Sequence, residues 1–236
     1  MVEGGVNFIK RMKYYNIKLF LSHFKCPKVY MKSIVLFGKG PSVSKCTKEM
    51  IEKHDDVAIV NYPVLNDFFV NLISGKKIKY HFANCGTFDE KYTDKINDML
   101  NLETIINTNF YKSNNYILYL KNKYLFKYSI REKYETYFKN NFDLDPNSGI
   151  LALQFLIDTS EYDNILLVGF DNYKIGEQTY YYSIETINKK LKYLIEKNII
   201  TKEGNFNIVS GHSPEKTEVY LSSLKNKYPN IKIERT

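Results

Sequence analysis

The sequence predicts an α/β chain with a central, mostly parallel β-sheet and helices on both faces. Three observations carry this. Short apolar runs, Ser33–Phe37 (SIVLF), Asp56–Val60 (DVAIV) and Ile165–Val168 (ILLV), have the pattern of strands buried on both faces. Helix-patterned segments alternate with them, above all the apolar stretch Ile150–Ile157 just ahead of the last of these strands. Each strand runs into glycine or a small polar residue (Gly38, Asn61, Gly169) at its carboxyl end, where open α/β sheets bind ligands. At 236 residues the chain suffices for one Rossmann-like domain, 31–236, preceded by an arm, 1–30.

In the arm, Phe8, Ile9, Met12, Ile17, Leu19, Phe20 and Phe24 alternate with Lys10, Arg11, Lys13, Lys18 and Lys25. A basic amphipathic helix of this kind lies on an anionic membrane surface or packs its apolar face on protein. Strand Ser33–Phe37 leads into Gly38-Lys39-Gly40-Pro41-Ser42 and a helix over Lys45–Lys53. Strand, glycine-rich turn and helix make the first half of a nucleotide-binding unit, where backbone and helix N-terminus favour an anion. The turn is neither a P-loop nor GxGxxG.

Strand Asp56–Val60 ends in Asn61. A third strand, Ile78–Phe82, ends in Ala83-Asn84-Cys85, and Thr104–Thr108 reads as a weak fourth. An asparagine past a strand can read a base or sugar hydroxyl with donor and acceptor together, and it is equally a common turn residue. The block 110–142, rich in Tyr, Lys and Asn, reads as partly helical over 116–139, with Tyr124, Tyr128, Tyr134 and Tyr137 serving packing rather than base stacking.

Asp145-Pro146-Asn147-Ser148-Gly149 then opens the buried helix, with Asn or Ser as its cap. The strand Ile165–Val168 ends in Gly169-Phe170-Asp171-Asn172-Tyr173. A lid-like stretch follows over 172–205, including a helix at 184–198. Phe206–Val209 is extended, a helix runs from Pro214 to Lys227 with proline in its first turn, and Ile231–Ile233 forms a last strand.

Composition narrows the classes. No apolar run reaches about 18 residues, so no membrane span is expected, and no secretory leader stands out. The three cysteines, Cys26, Cys46 and Cys85, lack metal-ligand spacing and cannot all pair, which fits a reduced, cytoplasmic setting. The net charge of +8 suits an anionic substrate, an anionic lipid surface or nucleic acid without choosing among them, and lysine richness also follows from base composition. The chain carries none of the RNA-module signatures, so no nucleic-acid partner is expected.

In order along the chain stand G-K-G-P-S, V-N-Y, A-N-C, N-S-G, G-F-D-x-Y and G-H-S. This order resembles the bacterial sialyltransferases of glycosyltransferase family 42. The segment P-N-S-G-I-L-A-L followed by Y-D-N-I-L-L-V-G-F-D is also similar to the small sialyl motif of animal sialyltransferases. The likeness covers about residues 31–225. It implies a GT-A-like sialyltransferase variant of the Rossmann-like fold. It further implies a metal-independent, inverting transfer of sialic acid from a CMP-activated donor to a hydroxyl of a surface glycan, of lipooligosaccharide or capsule type, with no cofactor. A cytoplasmic enzyme, peripheral at the membrane through residues 1–30 and possible as a homo-oligomer, goes with this expectation.

The resemblance assigns roles by position. Gly38, Lys39, Gly40, Pro41, Ser42 and Asn61 would hold the nucleotide. Asn84, Asn147, Ser148 and Gly149 would face donor sugar and phosphate, and Gly169, Phe170 and Asp171 would meet the cytidine. Tyr173 and Tyr180 would hydrogen-bond the leaving phosphate, with Tyr181 and Tyr182 as rivals to Tyr180. His212 would be the catalytic base. Two departures stand out: Lys39 where the family usually has Asn, and Asp145 where it has Arg, three residues before Ser148. The second leaves the acceptor and the exact donor open among CMP-linked nonulosonic acids and CMP-Kdo.

The residues support the chemistry on their own terms. Neutral hydroxyls can steady charge growing on a departing phosphate without a metal. Of the four histidines, only His212 lies in a glycine-flanked loop, and a histidine suits proton abstraction near neutrality. Asp143-Leu144-Asp145 is a DxD, a pattern that elsewhere holds a divalent ion through oxygen ligands, but it follows a polar segment rather than a strand and also reads as a solvated turn. Two other functions fit the pattern: a Mg-dependent nucleotide or pterin diphosphotransferase, and a CMP-binding scaffold without turnover.

Overall fold

The computed structural model describes residues 31–61, 66–84, 102–108, 125–127 (backbone only), 129–172 and 212–236. The chain divides into two units at Met31/Lys32, and the fold described is that of the second. The arm at 1–30 and most of the lid-like stretch lie outside the described residues.

Among the described residues, seven strands form one sheet in the order β5-β4-β3-β2-β1-β6-β7. They are β1 (Lys32–Phe37), β2 (Asp56–Val60), β3 (Ile78–Ala83), β4 (Leu102–Asn107), β5 (Leu125–Lys127), β6 (Tyr162–Val168) and β7 (Lys232–Arg235). Every described pairing is parallel, so the sheet is parallel throughout these strands. The chain steps outward from β1 to β5, then returns to place β6 on the other side of β1. That reversal makes a topological switch point between β1 and β6, with Phe37 paired to Val168 at its carboxyl end.

Side chains alternate across the sheet as strand geometry requires. Ile34, Leu36, Ile165 and Leu167 face one layer, built on α3 (Arg131–Phe142), α4 (Ser148–Thr159) and α5 (Pro214–Lys227). Val35, Phe37, Leu166 and Val168 face the other, covered by a 3-10 turn (Pro41–Lys45), α1 (Lys48–Glu52) and α2 (Asp67–Leu72). Burial on both faces is why the central strands read as unbroken apolar runs.

Helix α4 forms where its sequence says it should. The Asn147 side chain accepts from the Ile150 amide at 3.0 Å, and Ser160 in the left-handed region (φ 54°) ends it. Its residues Ile150, Leu151, Leu153 and Leu156 are buried, while Phe155 meets Tyr80 and Phe82 edge-on at 5.8 and 5.6 Å.

One expectation needs correction. The helix over Lys45–Lys53 is two pieces, because Thr47 breaks the 3-10 turn away and caps α1 by accepting from Met50 N–H. The block 116–139 is helical in part, as expected: Leu125–Lys127 is an edge strand and a helix starts at Arg131. Short α2, capped by Asn66 on the Phe69 amide at 2.9 Å, was not foreseen. Tyr134 does pack in the core as expected. Among the described residues, no helix is long and apolar enough to cross a membrane.

Candidate functional site

The candidate residues gather at the carboxyl edge of the sheet, beginning at the switch point. The loop after β1 and the loop after β6 are laced together: Gly38 N–H donates to Val168 O at 2.7 Å, and Gly40 N–H to Gly169 O at 2.9 Å. Asp171 Oδ2 accepts from both the amide and the hydroxyl of Ser42, at 3.0 and 2.9 Å. The Ser42 oxygen in turn accepts from Gly169 N–H at 3.1 Å. A Cβ on Gly40 would lie 2.0 Å from Asp171 Oδ2, and Gly169 sits at φ 75°, so both glycines are required by this closure. One oxygen of Asp171 is therefore committed to shaping the loop. Pro41 opens the 3-10 turn beyond it, and Lys39 lies half-buried between the two glycines.

Asn61, just past β2, adopts φ 56°. Its N–H donates to Phe82 O at 2.7 Å, and two further partners hold it there. Buried His81 of β3 donates Nε2–H to the Asn61 carbonyl at 2.5 Å, and Asn61 Oδ1 accepts from Asn84 N–H at 2.9 Å. Burial pushes the His81 imidazole down to about 4, opposed only in part by that hydrogen bond, so the ring is neutral near pH 7. The two asparagines expected at strand ends thus form one linked edge across β2 and β3.

At the start of α4, Asn147 is the cap, and Ser148 Oγ shares a hydrogen bond with Thr108 Oγ1 at 2.8 Å. Thr108 N–H is itself held by Ala83 O at 3.0 Å, which fixes the end of β4 against that of β3. Thr108 escaped the sequence reading as a site residue, although its place at the polar end of the fourth strand was the available signal. Gly149 lets Phe170 close in: a Cβ there would lie 3.0 Å from the Phe170 ring, which also underlies Gly38. Phe170 is buried, so in this structure it is a wedge between the loops and α4. Asn172 continues the β6 loop at φ 56° and donates to Glu218 of α5, which also pairs with Arg235 of β7.

His212 immediately precedes Ser213, the cap of α5. Its Nδ1 lies 3.0 Å from the backbone carbonyl of Asp145. A carbonyl only accepts, so Nδ1 carries the proton and, in the neutral ring, the lone pair is on Nε2. The Asp145 carboxylate stands 3.8 Å from the same Nδ1. Arg131, from the first turn of α3, pairs with the other oxygen of that carboxylate and donates from Nη1 to Pro146 O at 3.3 Å. The sequence singled out Asp145 as a replaced arginine but missed Arg131, because only tertiary packing brings α3 to this loop.

The DxD is occupied by cations of the chain. Asp143 pairs with Lys216, which holds its carboxyl below the usual range, and Asp145 pairs with Arg131. Among the described residues no cluster of His, Cys, Asp and Glu could hold a metal ion. Tyr173 and Tyr180, with their rivals Tyr181 and Tyr182, lie outside the described residues.

Solved structures share this architecture. The monofunctional α-2,3-sialyltransferase Cst-I from Campylobacter jejuni matches with TM-score 0.61 and 23% identity, over 87% of this chain and 75% of that one. The sialyltransferase CstII from Campylobacter jejuni, in complex with the substrate analogue cytidine-5'-monophosphate, matches with TM-score 0.56 and 20% identity, over 87% and 79%. CST-II in complex with a trisaccharide acceptor and CMP matches with TM-score 0.54 and 20% identity, over 86% and 80%. No protein-family model and no curated protein matches the sequence. The fold is therefore that of these sialyltransferases, the same group that the motif order resembles.

Proposed function

We propose that the chain is a glycosyltransferase that moves sialic acid, or a related nonulosonic acid, from a CMP-activated donor to a hydroxyl of a glycan. The observation that carries this is the His212 ring. Its Nδ1–H is anchored on the Asp145 carbonyl, two residues before the Asn147 cap of α4, so Nε2 is the nitrogen left to take a proton. The solved relatives of this fold, one bound to CMP and one to CMP with a trisaccharide acceptor, supply the donor and acceptor classes.

In this reading the donor nucleotide lies over the switch point, where Gly38–Ser42 and Gly169–Asp171 meet. An acceptor hydroxyl attacks the anomeric carbon as the bond from that carbon to the CMP phosphate breaks. Its proton passes to His212 Nε2, and the configuration inverts. The N-terminus of α4 and hydroxyls of Tyr173 and Tyr180 offset charge growing on the leaving phosphate. No divalent ion is needed, in keeping with the ion pairs that already engage Asp143 and Asp145. A lipooligosaccharide or capsule acceptor, met at the cytoplasmic face of a membrane with help from residues 1–30, completes the proposal.

Calorimetric titration with CMP, UMP, GMP and ADP, with and without Mg²⁺, tests it. Binding selective for CMP and indifferent to Mg²⁺ is expected. A purine nucleotide bound only with the metal would replace the proposal with the diphosphotransferase reading. CMP binding with no transfer from any CMP-sugar would make the chain a scaffold.

A further inference from the structure

We infer that Asp145 and Arg131 are positioning residues for His212, which together fix the orientation and proton affinity of the base; this rests on His212 acting as the base proposed above. Three contacts carry it. The Asp145 carbonyl receives Nδ1–H at 3.0 Å, which sets the tautomer. The Asp145 carboxylate lies 3.8 Å from that nitrogen, within reach to favour the imidazolium that forms when Nε2 takes the acceptor's proton. The Arg131 guanidinium grips the other carboxylate oxygen and the neighbouring Pro146 carbonyl, so the carboxylate cannot swing to take Nδ1 from the backbone.

The division of labour follows from exposure. Asp145 is 42% exposed and would rotate freely if unpaired, whereas the Arg131 side chain is only 15% exposed and is rooted in α3. Arg131 also partly cancels the carboxylate's charge. The pair therefore keeps a carboxylate of fixed position and tempered charge beside the ring. The elements that carry these residues also hold Glu135, 4.0 Å from Arg131 on α3, Glu215 and Lys216 in the first turn of α5, and Asp143, which pairs with Lys216.

The proposal predicts opposite effects from two neutralising substitutions. Asp145→Asn keeps the backbone carbonyl and removes the negative charge. Arg131→Gln removes the positive charge and releases the carboxylate. The His212 ring protons are followed by NMR across pH in the full chain, with the signal assigned by its loss in His212→Ala. The titration midpoint in Asp145→Asn should lie below that in Arg131→Gln, with the parent between them. The acidic limb of the kcat/KM profile for transfer from CMP-sialic acid should move with it. Arg131→Lys, which keeps the charge, should hold the midpoint near that of the parent.

A midpoint unmoved in Asp145→Asn, with His212→Ala inactive, would overturn this inference and leave the base intact. A His212→Ala variant that transfers at the parent rate would overturn the base, and with it the catalytic meaning of Asp145 and Arg131, whatever the midpoints do.

Discussion

His81, wholly buried in β3, donates its Nε2–H to the backbone carbonyl of Asn61 at 2.5 Å. A side chain in the sheet interior thereby holds a left-handed residue at the sheet's carboxyl edge, and Asn61 in turn receives the Asn84 amide.

This buried imidazole makes stability depend on pH. Its folded value, about 4, lies below the ordinary 6.5. Between these values the unfolded chain binds more protons, so stability falls as pH drops from 6.5 towards 4 and is level above 6.5 as far as this group is concerned. The full span is on the order of 3 kcal/mol. Denaturant unfolding at pH 7, 6 and 5 should show this slope in the parent and a shallower one in His81→Gln. Equal slopes would remove His81 as the titrating group.

Gly40 is predicted to tolerate no side chain. In Gly40→Ala the new Cβ meets Asp171 Oδ2 at 2.0 Å and Gly169 O at 2.9 Å, so the two loops must part. Asp171→Ala should open the same closure by leaving the Ser42 amide without its acceptor, at about 1–3 kcal/mol. Both variants should weaken CMP binding by about tenfold, since the backbone that would cradle the nucleotide is misplaced. Parent-level affinity in both would detach this closure from nucleotide binding.

The hydroxyl pair of Thr108 and Ser148 joins the end of β4 to the start of α4. Thr108→Val and Ser148→Ala should each destabilise the fold by about 1 kcal/mol, and the double variant should cost clearly less than the sum. Strict additivity in a denaturant cycle would mean the two hydroxyls do not act together.

His212→Ala is expected to bind CMP as the parent does and to lose transfer by about 10²-fold or more. Calorimetry and a CMP-release assay read the two halves separately. Near-normal turnover would end the assignment of the base.

Transfer should survive EDTA. The carboxylates with the spacing of a metal-binding pair are held by Lys216 and Arg131 instead. Activity lost to EDTA and restored by Mn²⁺ would return Asp143 and Asp145 to the role of ligands.

How much was legible depended on where each segment lies. β1, β2 and β6 occupy the middle of the sheet, and burial on both faces wrote itself into SIVLF, DVAIV and ILLV. Helix α5 was legible in full because Ser213 and Pro214 mark its start chemically. β5, three residues at an edge within a Lys- and Tyr-rich block, carries no such imprint. The candidate residues Gly38–Ser42, Asn61, Asn84, Asn147 and Gly169–Asp171 were legible as strand ends, loop glycines and a cap. Their internal bonds were not, since Asp171 and Ser42 are 129 positions apart.

By itself, then, the sequence determined which segments must be buried, where the strands end, and that a small set of polar residues would stand at those ends. It did so because burial and capping are local demands, met by each residue's own chemistry. Tertiary structure alone decided the partners: His81 beneath Asn61, Thr108 beside Ser148, and Arg131 against Asp145 below His212. These contacts depend on the strand order and on how α3 and α4 cross the sheet, and both come from packing summed over the whole core. Asp145 shows the difference. Along the chain it is an acid in place of an arginine, and in the fold an arginine from another helix meets it.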